Sequence, residues 1–331
     1  MPKISVVMPV YNTKEEYFRG AIESILNQSF DDLELIIVDD CSELYIQKIV
    51  NSYSDVRIKY YKLDKNQGAA NARNFAIFKA CGKYLAFMDS DDISLPKRLE
   101  RQYNFLETNQ DIGCLGTQTK IIGDDYENIN FPKPTKHFDI EKHLIFEGCV
   151  FCQSSVMLRK EILDANNILY KTKYVPAEDY ALWLDLVGKT KFEVLNEILV
   201  HYRFYEGNIS HRQKKLQEEK CAEAQLATLK IYCNLNKFNE SVWIKFLKGF
   251  TLSKNEYKIL NENLEQIITI LRTKRYSEKN IHSLFSRKFK KLFYHTHSIS
   301  GQYTLFTSPI NKTLKISFFW RLFCFITRGL F

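Results

Sequence analysis

Apolar and polar residues alternate in blocks along the first third of the chain. Short runs rich in β-branched residues, such as residues 33–38, are separated by stretches whose apolar residues recur every three to four positions. Near-continuous apolar runs are typical of strands buried on both faces, and the second period is typical of amphipathic helices. The pattern predicts strands over 4–8, 33–38, 57–63 and 84–88 and helices over 14–28, 43–53, 68–80 and 95–109. It therefore indicates parallel βαβ units in an α/β sandwich.

The pattern changes after about residue 110. It predicts strands over 112–116, 120–122 and 150–158, a helix over 176–189 that begins at Pro176, and a helical, basic stretch from residue 211. We therefore predict one domain over 1–210, made of the halves 1–110 and 111–210, and a helical basic C-terminal region over 211–331.

Composition excludes several classes of protein. A chain of 331 residues that is 45% hydrophobic and 26% charged is too apolar for a disordered protein and too long for a disulfide miniprotein. No stretch approaches the ~20 uninterrupted apolar residues that cross a bilayer. The short apolar run near the N-terminus is typical of a strand and not of a secretory signal, so we expect a cytosolic chain.

The eight cysteines lack the regular spacing of a disulfide framework, so we expect free thiols. Cys149 and Cys152 have the spacing of some metal and redox sites. Because neither a second such pair nor a pair of histidines follows them, packing inside a strand is favoured over a metal or redox role.

Charge divides the chain into two parts of opposite sign. Residues 1–210 hold 25 Lys and Arg against 31 Asp and Glu, whereas residues 211–331 hold 22 against 8. After Glu278 there is no acidic residue. This asymmetry suggests an acidic, cation-using front part and a back part that faces an anionic surface, either membrane lipid or nucleic acid.

Polar side chains gather where three predicted strands end. Pro9, Tyr11 and Asn12 follow the first strand, residues 39–42 the second, and residues 89–92 the fourth. In α/β sheets the ligand crevice lies beyond the carboxyl ends of the strands. Aspartates crowded there repel one another, and a bound cation relieves that repulsion. Roles in turns and helix caps are the alternative for each cluster taken alone.

Seven motifs in a fixed order resemble the family 2 glycosyltransferases, which are inverting enzymes that use nucleotide sugars and have the GT-A fold. The resemblance covers about residues 1–210 and is carried by SVVMPVYN, SILNQSF, LELIIVDDCS, NQGAANARN, GKYLAFMDSDD, LPKRLE and AEDYALWL. It implies a GT-A type, Rossmann-like α/β/α sandwich with a helical, basic C-terminal extension. Residues 1–110 then form the nucleotide-binding half, and residues 111–210 form the acceptor half.

The resemblance makes Asp89-Ser90-Asp91 the element that binds the donor and a metal ion. Carboxylates at alternate positions of an extended strand end point the same way, and Mn²⁺ or Mg²⁺ prefers such hard oxygen ligands. Asp91 is expected to contact the metal directly, and Asp89 to contact the ribose or the outer coordination sphere. Asp92 either belongs to the site or caps the next helix.

The other strand ends are expected to bind the nucleotide base. By resemblance, Asp39 hydrogen-bonds uracil, and Pro9, Tyr11 and Asn12 line the same pocket, where Tyr11 can stack on the base. Arg73 matches a basic position that faces the nucleotide, although a helix-surface role is the alternative.

Asp179 is expected to be the catalytic base. An inverting transfer needs one carboxylate to remove the proton from the acceptor hydroxyl. The pair Glu178-Asp179 looks like the family's acidic pair, in which the second residue is the base. Stabilisation of the first helical turn is the alternative role for both acids.

Two further segments bear on the phosphates and on location. His201, Arg203 and His211 lie in a segment that resembles one closing over the diphosphate in relatives, and a structural role is the alternative for each. If residues 315–331 are helical, Ser317, Arg321, Cys324 and Arg328 form one polar stripe among aromatic residues. We expect residues 312–331 to lie on an anionic membrane surface, with packing on the protein itself or on a second subunit as the alternative.

The sequence thus predicts a metal-dependent hexosyl- or N-acetylhexosaminyltransferase on the inner face of the cell membrane. It would move one sugar, from UDP in our expectation, to a glycan or glycolipid acceptor in capsule, O-antigen or lipooligosaccharide assembly. The QxxRW element of processive synthases is missing. No nucleic-acid partner is expected. A catalytically silent nucleotide-sugar-binding scaffold subunit is the alternative, and an NAD-dependent oxidoreductase is excluded by the absence of a glycine-rich turn after the first strand.

Overall fold

The computed structural model describes residues 1–123, 132–232, 239–248, 250 and 252–273. Its strands are β1 (Ile4–Val10), β2 (Leu33–Asp39), β3 (Ile58–Lys62), β4 (Tyr84–Phe87), β5 (Ile93–Ser94), β6 (Ile112–Ile122), β7 (Met157–Arg159) and β8 (Lys191–Arg203). Its helices are α1 (Glu15–Leu26), α2 (Leu44–Asn51), α3 (Ala69–Lys79), α4 (Arg98–Thr108), α5 (His137–Phe146), α6 (Lys160–Asn166), α7 (Glu178–Asp185), α8 (Ile209–Arg212), α9 (Lys214–Tyr232), α10 (Glu240–Lys248) and α11 (Lys254–Thr273).

One mixed sheet organises the first part of the chain. In the described residues its order is β3-β2-β1-β4-β7-β6-β8-β5. The strands β1 to β4 are parallel, as the βαβ pattern predicts. Strand β7 is antiparallel to both of its neighbours, and β5 is antiparallel to β8. The carboxyl ends of β1, β2 and β4 therefore meet at one edge of the sheet.

Helices cover both faces of this sheet. Alternate residues of β1, such as Val6 and Met8, pack with buried residues of α1, α2 and α4 in one hydrophobic cluster. Helix α3 packs against β1 and β2, and its buried Ala72 and Ala76 allow a close approach. The predicted α/β/α sandwich is confirmed.

Several predicted elements differ from the structure. The predicted strand 150–158 is wrong for most of its length, because residues 153–155 form a short 3-10 helix and only Met157–Arg159 is a strand. The two short strands predicted over 112–122 are one continuous strand, β6. Helix α7 begins at Glu178, two residues after the predicted start. Strands β5 and β8 were not predicted.

The chain divides into two compact units. The first comprises Met1–Leu144 and Cys149–Gln217, and the second comprises Ile145–Gly148 and the described residues from Glu218 onward. Within the second unit, Trp243 on α10 donates from Nε1 to Oδ1 of Asn263 on α11 at 3.1 Å. None of the helices in the described part of the chain is long and apolar enough to cross a membrane. The predicted surface helix over 312–331 lies outside the described residues.

Candidate active site

A loop of four acidic and polar residues follows β4. The backbone N–H of Asp89 donates to Oγ of Ser154 at 2.9 Å. The hydroxyls of Ser90 and Thr13 share a hydrogen bond of 2.7 Å, which ties this loop to the residues that follow β1. The side chains of Asp89 and Asp91 are partly exposed, whereas Asp92 is fully buried. The structure therefore presents Asp89 and Asp91 at the sheet edge.

Asp92 holds this loop in place and does not cap a helix. Its Oδ1 accepts from the backbone N–H of Arg203 at 2.8 Å, and its Oδ2 accepts from the hydroxyl of Ser154. Helix α4 begins only at Arg98. Burial raises the pKa of Asp92 well above its ordinary value, and the charges of Asp91 and Asp89 raise it further. The capping alternative is therefore wrong.

Arg203, the last residue of β8, and Tyr205 just beyond it contact Asp91. The hydroxyl of Tyr205 donates to Oδ2 of Asp91 at 3.1 Å, and Nε of Arg203 donates to the Asp91 carbonyl at 2.8 Å. The Arg203 guanidinium also lies 4.2 Å from the centre of the Tyr17 ring. Burial and the charge of Asp89 raise the pKa of Asp91 to about 6.

The two histidines of the same segment have different positions. His201 lies on β8 opposite Ile93 of β5, and burial lowers its pKa. The side chain of His211 lies outside the described part of the structure. Of the two residues in this set with described side chains, Arg203 is the one whose side chain contacts the loop of residues 89–92.

Arg73 joins the acidic loop to helix α7. It lies on α3, and its side chain is nearly buried. One terminal nitrogen donates to Oδ1 of Asp89 at 2.8 Å, and the other donates to Oε1 of Glu178 at 2.9 Å. Burial alone would lower the pKa of Arg73, but the charges of Asp89 and Glu178 outweigh it and the pKa is raised. The acidic residue Asp89 and the acidic pair of α7, which are distant in sequence, are thus joined by the guanidinium of Arg73.

Asp179 follows Glu178 in the first turn of α7, and its side chain is partly exposed. Its Oδ1 accepts from the backbone N–H of Tyr180 at 2.6 Å. Burial and the charge of Glu178 raise the pKa of Asp179 to about 7. A carboxyl group with this pKa can hold or release a proton near neutral pH, which suits a general base.

Asp39 is enclosed by the protein. Its side chain is fully buried, and its Oδ1 accepts from the backbone N–H of Ser42 at 2.7 Å. Its Oδ2 accepts from the hydroxyl of Tyr60 at 2.6 Å and lies 3.9 Å from Nζ of Lys62. A carboxylate has further lone pairs, so contact between Asp39 and a base stays a prediction.

The other residues predicted to bind the base lie at the end of β1 or just beyond it. Pro9 is buried within β1, and the ring of Tyr11 is 53% exposed and therefore open to stacking. Asn12 has a φ of 48°, and its Oδ1 accepts from the backbone N–H of Glu43 at 2.9 Å. The structure therefore places Tyr11 and Asn12 at the predicted nucleotide-binding edge.

Asp40 shapes the loop before α3. Its carboxylate accepts from the backbone N–H groups of Gln67 and Gly68, each at 2.7 Å. Gly68 has a φ of 85°, which residues with a side chain rarely adopt. The second aspartate of this pair therefore positions the start of the helix that carries Arg73.

The buried guanidinium of Arg98 supports the loop of residues 89–92 through the end of β4. Arg98 is fully buried, Nε donates to Oε1 of Gln102 at 3.1 Å, and burial lowers its pKa to about 10. Both side chains donate to backbone carbonyls at 2.9 to 3.2 Å, namely those of Phe87, Leu115, Ser155 and Val156. This network joins β4, β6 and the segment before β7.

The residues at this edge fit a divalent cation whose coordination a substrate completes. Asp89 and Asp91 supply hard oxygen ligands, and a cation relieves the repulsion that raises the pKa of Asp91. Within the described residues, no group of three or more His, Cys, Asp or Glu side chains is arranged to hold a metal. Mg²⁺ is commonly bound by one or two carboxylates together with substrate phosphates, and the arrangement matches that requirement.

Cys149 and Cys152 lie in the segment that precedes β7. Cys149 is exposed and Cys152 is half-buried, and burial raises the pKa of the Cys152 thiol far above its ordinary value. A protonated, buried thiol is a poor metal ligand and nucleophile. Packing therefore remains the favoured role for Cys152, in a loop and not in the predicted strand, whereas the exposed Cys149 is not packed in the interior.

Several residues of the site were not predicted from the sequence. Tyr205 lies two residues after Arg203, inside the segment 201–211 that the sequence had already linked to the diphosphate. That segment was the one sequence feature that pointed to Tyr205. Ser154 lies in the segment interpreted as a strand. Tyr60 and Lys62 are on β3, and the strand pattern there gives no indication that they contact Asp39.

Comparison with known proteins gives a consistent result. The model of the family "Glycosyl transferase family 2" matches residues 5–166. The chain is 35% identical to the O-antigen biosynthesis glycosyltransferase WbnJ of Escherichia coli over 232 residues, which are 67% of this chain and 87% of that relative. It is 31% identical over 217 residues to WfaP of Escherichia coli, a UDP-Glc:alpha-D-GlcNAc-diphosphoundecaprenol beta-1,3-glucosyltransferase, which covers 65% of this chain and 82% of that relative.

The fold is also found among solved structures. Residues 1–349 of S. aureus TarS in complex with UDP-GlcNAc match with a TM-score of 0.58 and 19% sequence identity, over 92% of this chain and 86% of that chain. At this identity the likeness shows the fold alone, which is of the GT-A type.

Proposed function

Because this chain belongs to glycosyl transferase family 2, we propose that it is a metal-dependent, inverting enzyme that moves a single sugar from a UDP-sugar to a hydroxyl group. The acceptor is a lipid-linked or surface glycan. The observation that carries this proposal is the meeting of Asp89 and Glu178 at Arg73, which joins the acidic loop after β4 to the helix that carries Asp179.

Asp91 and Asp89 would hold Mn²⁺ or Mg²⁺ together with the donor diphosphate. When bound, the cation stabilises the negative charge that develops on the leaving diphosphate. Tyr205 and Arg203 hold Asp91 in place through the contacts described above. Ser90 is fixed by Thr13 and faces the same donor.

Asp179 acts as the general base. Its carboxylate accepts the proton of the acceptor hydroxyl while that oxygen forms a bond to the anomeric carbon. The bond between the anomeric carbon and the phosphate oxygen breaks, and its electron pair leaves with UDP. A pKa of about 7 leaves a substantial fraction of Asp179 ionised at neutral pH, which supports this role.

The nucleotide lies over the ends of β1 and β2. Tyr11 offers an exposed ring for stacking on the base, and Asn12 lies beside it. Asp39 accepts a hydrogen bond from the N3–H of uracil, and Tyr60 holds its carboxylate in position. A cytosine ring lacks that donor, so this contact favours UDP over CDP.

The names of the relatives support the proposed acceptor class. WbnJ is named for O-antigen biosynthesis, and WfaP is named for a diphosphoundecaprenol-linked acceptor. The basic C-terminal residues fit an anionic membrane surface. We therefore propose that the reaction takes place on the cytoplasmic face of the membrane, with the protein bound peripherally. We also propose that the catalytic domain ends at about residue 210.

Calorimetric titration of UDP, GDP and CDP, each with and without Mn²⁺, tests this function. Wild-type protein should bind UDP in a Mn²⁺-dependent manner, and Asp91→Ala should weaken that binding by about tenfold or more, because one metal ligand is lost. Asp111→Ala is the matched control, since Asp111 pairs with Lys191 at 2.7 Å near the start of β6, at the opposite end of the sheet. Absence of nucleotide binding under every condition contradicts the proposal and favours the silent scaffold.

A further inference from the structure

Arg73 is bonded to two carboxylates of the protein itself, which is not required of a residue that binds a nucleotide. Its two terminal nitrogens are engaged by Asp89 and Glu178 at 2.8 and 2.9 Å. Its Nε is buried and has no hydrogen-bond partner among the described residues. Each terminal nitrogen therefore has one N–H engaged by a carboxylate of the protein, and the side chain that carries them is nearly buried.

The environment of Arg73 fixes the guanidinium between these two acids. The group lies 5.5 Å from the centre of the Tyr170 ring. Asn74, the next residue on α3, accepts from the backbone N–H of Tyr170 and donates to its carbonyl, each at 2.9 Å. The Tyr170 hydroxyl accepts from Nε2 of Gln153 at 2.6 Å. The aromatic ring under Arg73 is thus held from both ends.

A guanidinium shared by two carboxylates transmits a change at one to the other. When a bound ligand takes up negative charge density from Asp89, the attraction between Arg73 and Asp89 weakens. The attraction between Arg73 and Glu178 then becomes stronger. Glu178 is the first residue of α7 and is adjacent to Asp179. The position of the acidic pair therefore depends on the state of Asp89.

We propose that Arg73 is a positioning residue that couples binding at Asp89 to the acidic pair of α7, and that it does not contact the nucleotide. This inference rests on the proposed function in one respect, namely that Asp89 faces a metal-bound donor. The planar fork of arginine is essential to it, because a lysine ammonium is a point charge that cannot bond two separated carboxylates with fixed geometry.

A double-mutant cycle with a binding readout tests the coupling. UDP is titrated in the presence of Mn²⁺ into wild type, Glu178→Gln, Arg73→Met and the double variant. With Arg73 present, Glu178→Gln leaves the guanidinium to Asp89 alone and should weaken UDP binding about fivefold. In the Arg73→Met background the same change should alter affinity by less than about twofold, because Glu178 can no longer act on Asp89 through Arg73. Independent substitutions would instead have the same effect in both backgrounds within about twofold.

The outcomes separate coupling from direct contact. If Arg73 contacts the nucleotide, Arg73→Met weakens UDP binding even without Mn²⁺, and the effects of the two substitutions add; that result overturns the proposal. Arg73→Lys should retain the charge and lose the coupling. Arg57→Met is the matched control, because Arg57 bonds Asp55 at 2.7 Å just before β3, at the other end of the sheet.

Thermal unfolding of the same four proteins provides a readout that needs no ligand. Glu178→Gln should lower Tm when Arg73 is present and raise it in the Arg73→Met background, where the nearly buried Glu178 has lost its counter-charge. A change of the same sign in both backgrounds refutes the link. If wild type binds no nucleotide, the proposed function fails, while the reversal in Tm still decides whether Arg73 links the two acids.

Discussion

Replacing Asp179 by Asn removes one ionisable group and little else. The amide has nearly the same shape, and its Oδ1 can still accept from the backbone N–H of Tyr180. It cannot take up a proton from an acceptor hydroxyl. A positioned general base contributes about 10²- to 10⁴-fold to rate, so transfer should fall by a factor in this range while UDP binding is retained.

The same substitution should stabilise the fold at neutral pH. The pKa of Asp179 is about 7 in the folded protein against an ordinary value of 3.8. Because the folded value is raised, the stability associated with the protonated acid is lost as pH rises from about 4 to about 7. The full shift corresponds to a ceiling of ~4 kcal/mol. Since the side chain is partly exposed, solvent screening reduces the expected gain to about 1 to 2 kcal/mol.

Two measurements check these expectations. Urea unfolding of wild type and Asp179→Asn at pH 5, 6, 7 and 8 should show a stability difference that increases up to about pH 7 and is constant above it. The wild-type rate of UDP release in the presence of acceptor should rise with pH through about 7. Asp185→Asn serves as control on the same helix, because Asp185 pairs with Lys171 at its other end. Transfer near the wild-type rate, or a stability difference independent of pH, would refute the reasoning.

Two further variants address other parts of the site. Asp39→Asn should weaken UDP binding by about tenfold or more and CDP binding by less, because a site built to accept the N3–H of uracil then presents an amide; equal losses in calorimetric titrations of both nucleotides would show that the effect is on folding. Gly68→Ala should destabilise the protein by about 1 to 3 kcal/mol, because a φ of 85° and ψ of 157° is a conformation that favours glycine. Its Tm, measured by scanning calorimetry, should fall by a few degrees, and an unchanged Tm contradicts this cost.

The sequence motifs predicted positions along the chain better than they predicted contacts. Asp89 and Asp91 directly follow β4, and the ends of parallel strands share one edge, so local pattern and sheet topology together sufficed to predict their place. The burial of Asp39 depends on Tyr60, which the pairing of β2 with β3 brings beside it. Local periodicity contains no information about such a pairing.

Elements that are short or paired over long distances in sequence were harder to predict. Strand β5 has two residues, and it is defined only by its pairing with β8. Ser154 looks like part of an apolar run in the sequence, yet its hydroxyl bonds Asp92 and the backbone of Asp89. Arg73 was predicted to face the nucleotide, but it pairs with Asp89 and with Glu178, and Glu178 lies on helix α7, which is distant in sequence.

The support under the acidic loop has a consequence for how this enzyme can diverge or be redesigned. Apart from their bond to each other and a contact between Arg98 and Sδ of Met88, Arg98 and Gln102 donate to the main-chain carbonyls of residues 87, 115, 155 and 156. Every amino acid provides such a carbonyl, so these four hydrogen bonds do not depend on the side chains at the accepting positions. The side chains at these four positions can therefore be varied in a mutant library while the loop that carries Asp89 and Asp91 stays supported, provided that positions 88, 98 and 102 are left unchanged.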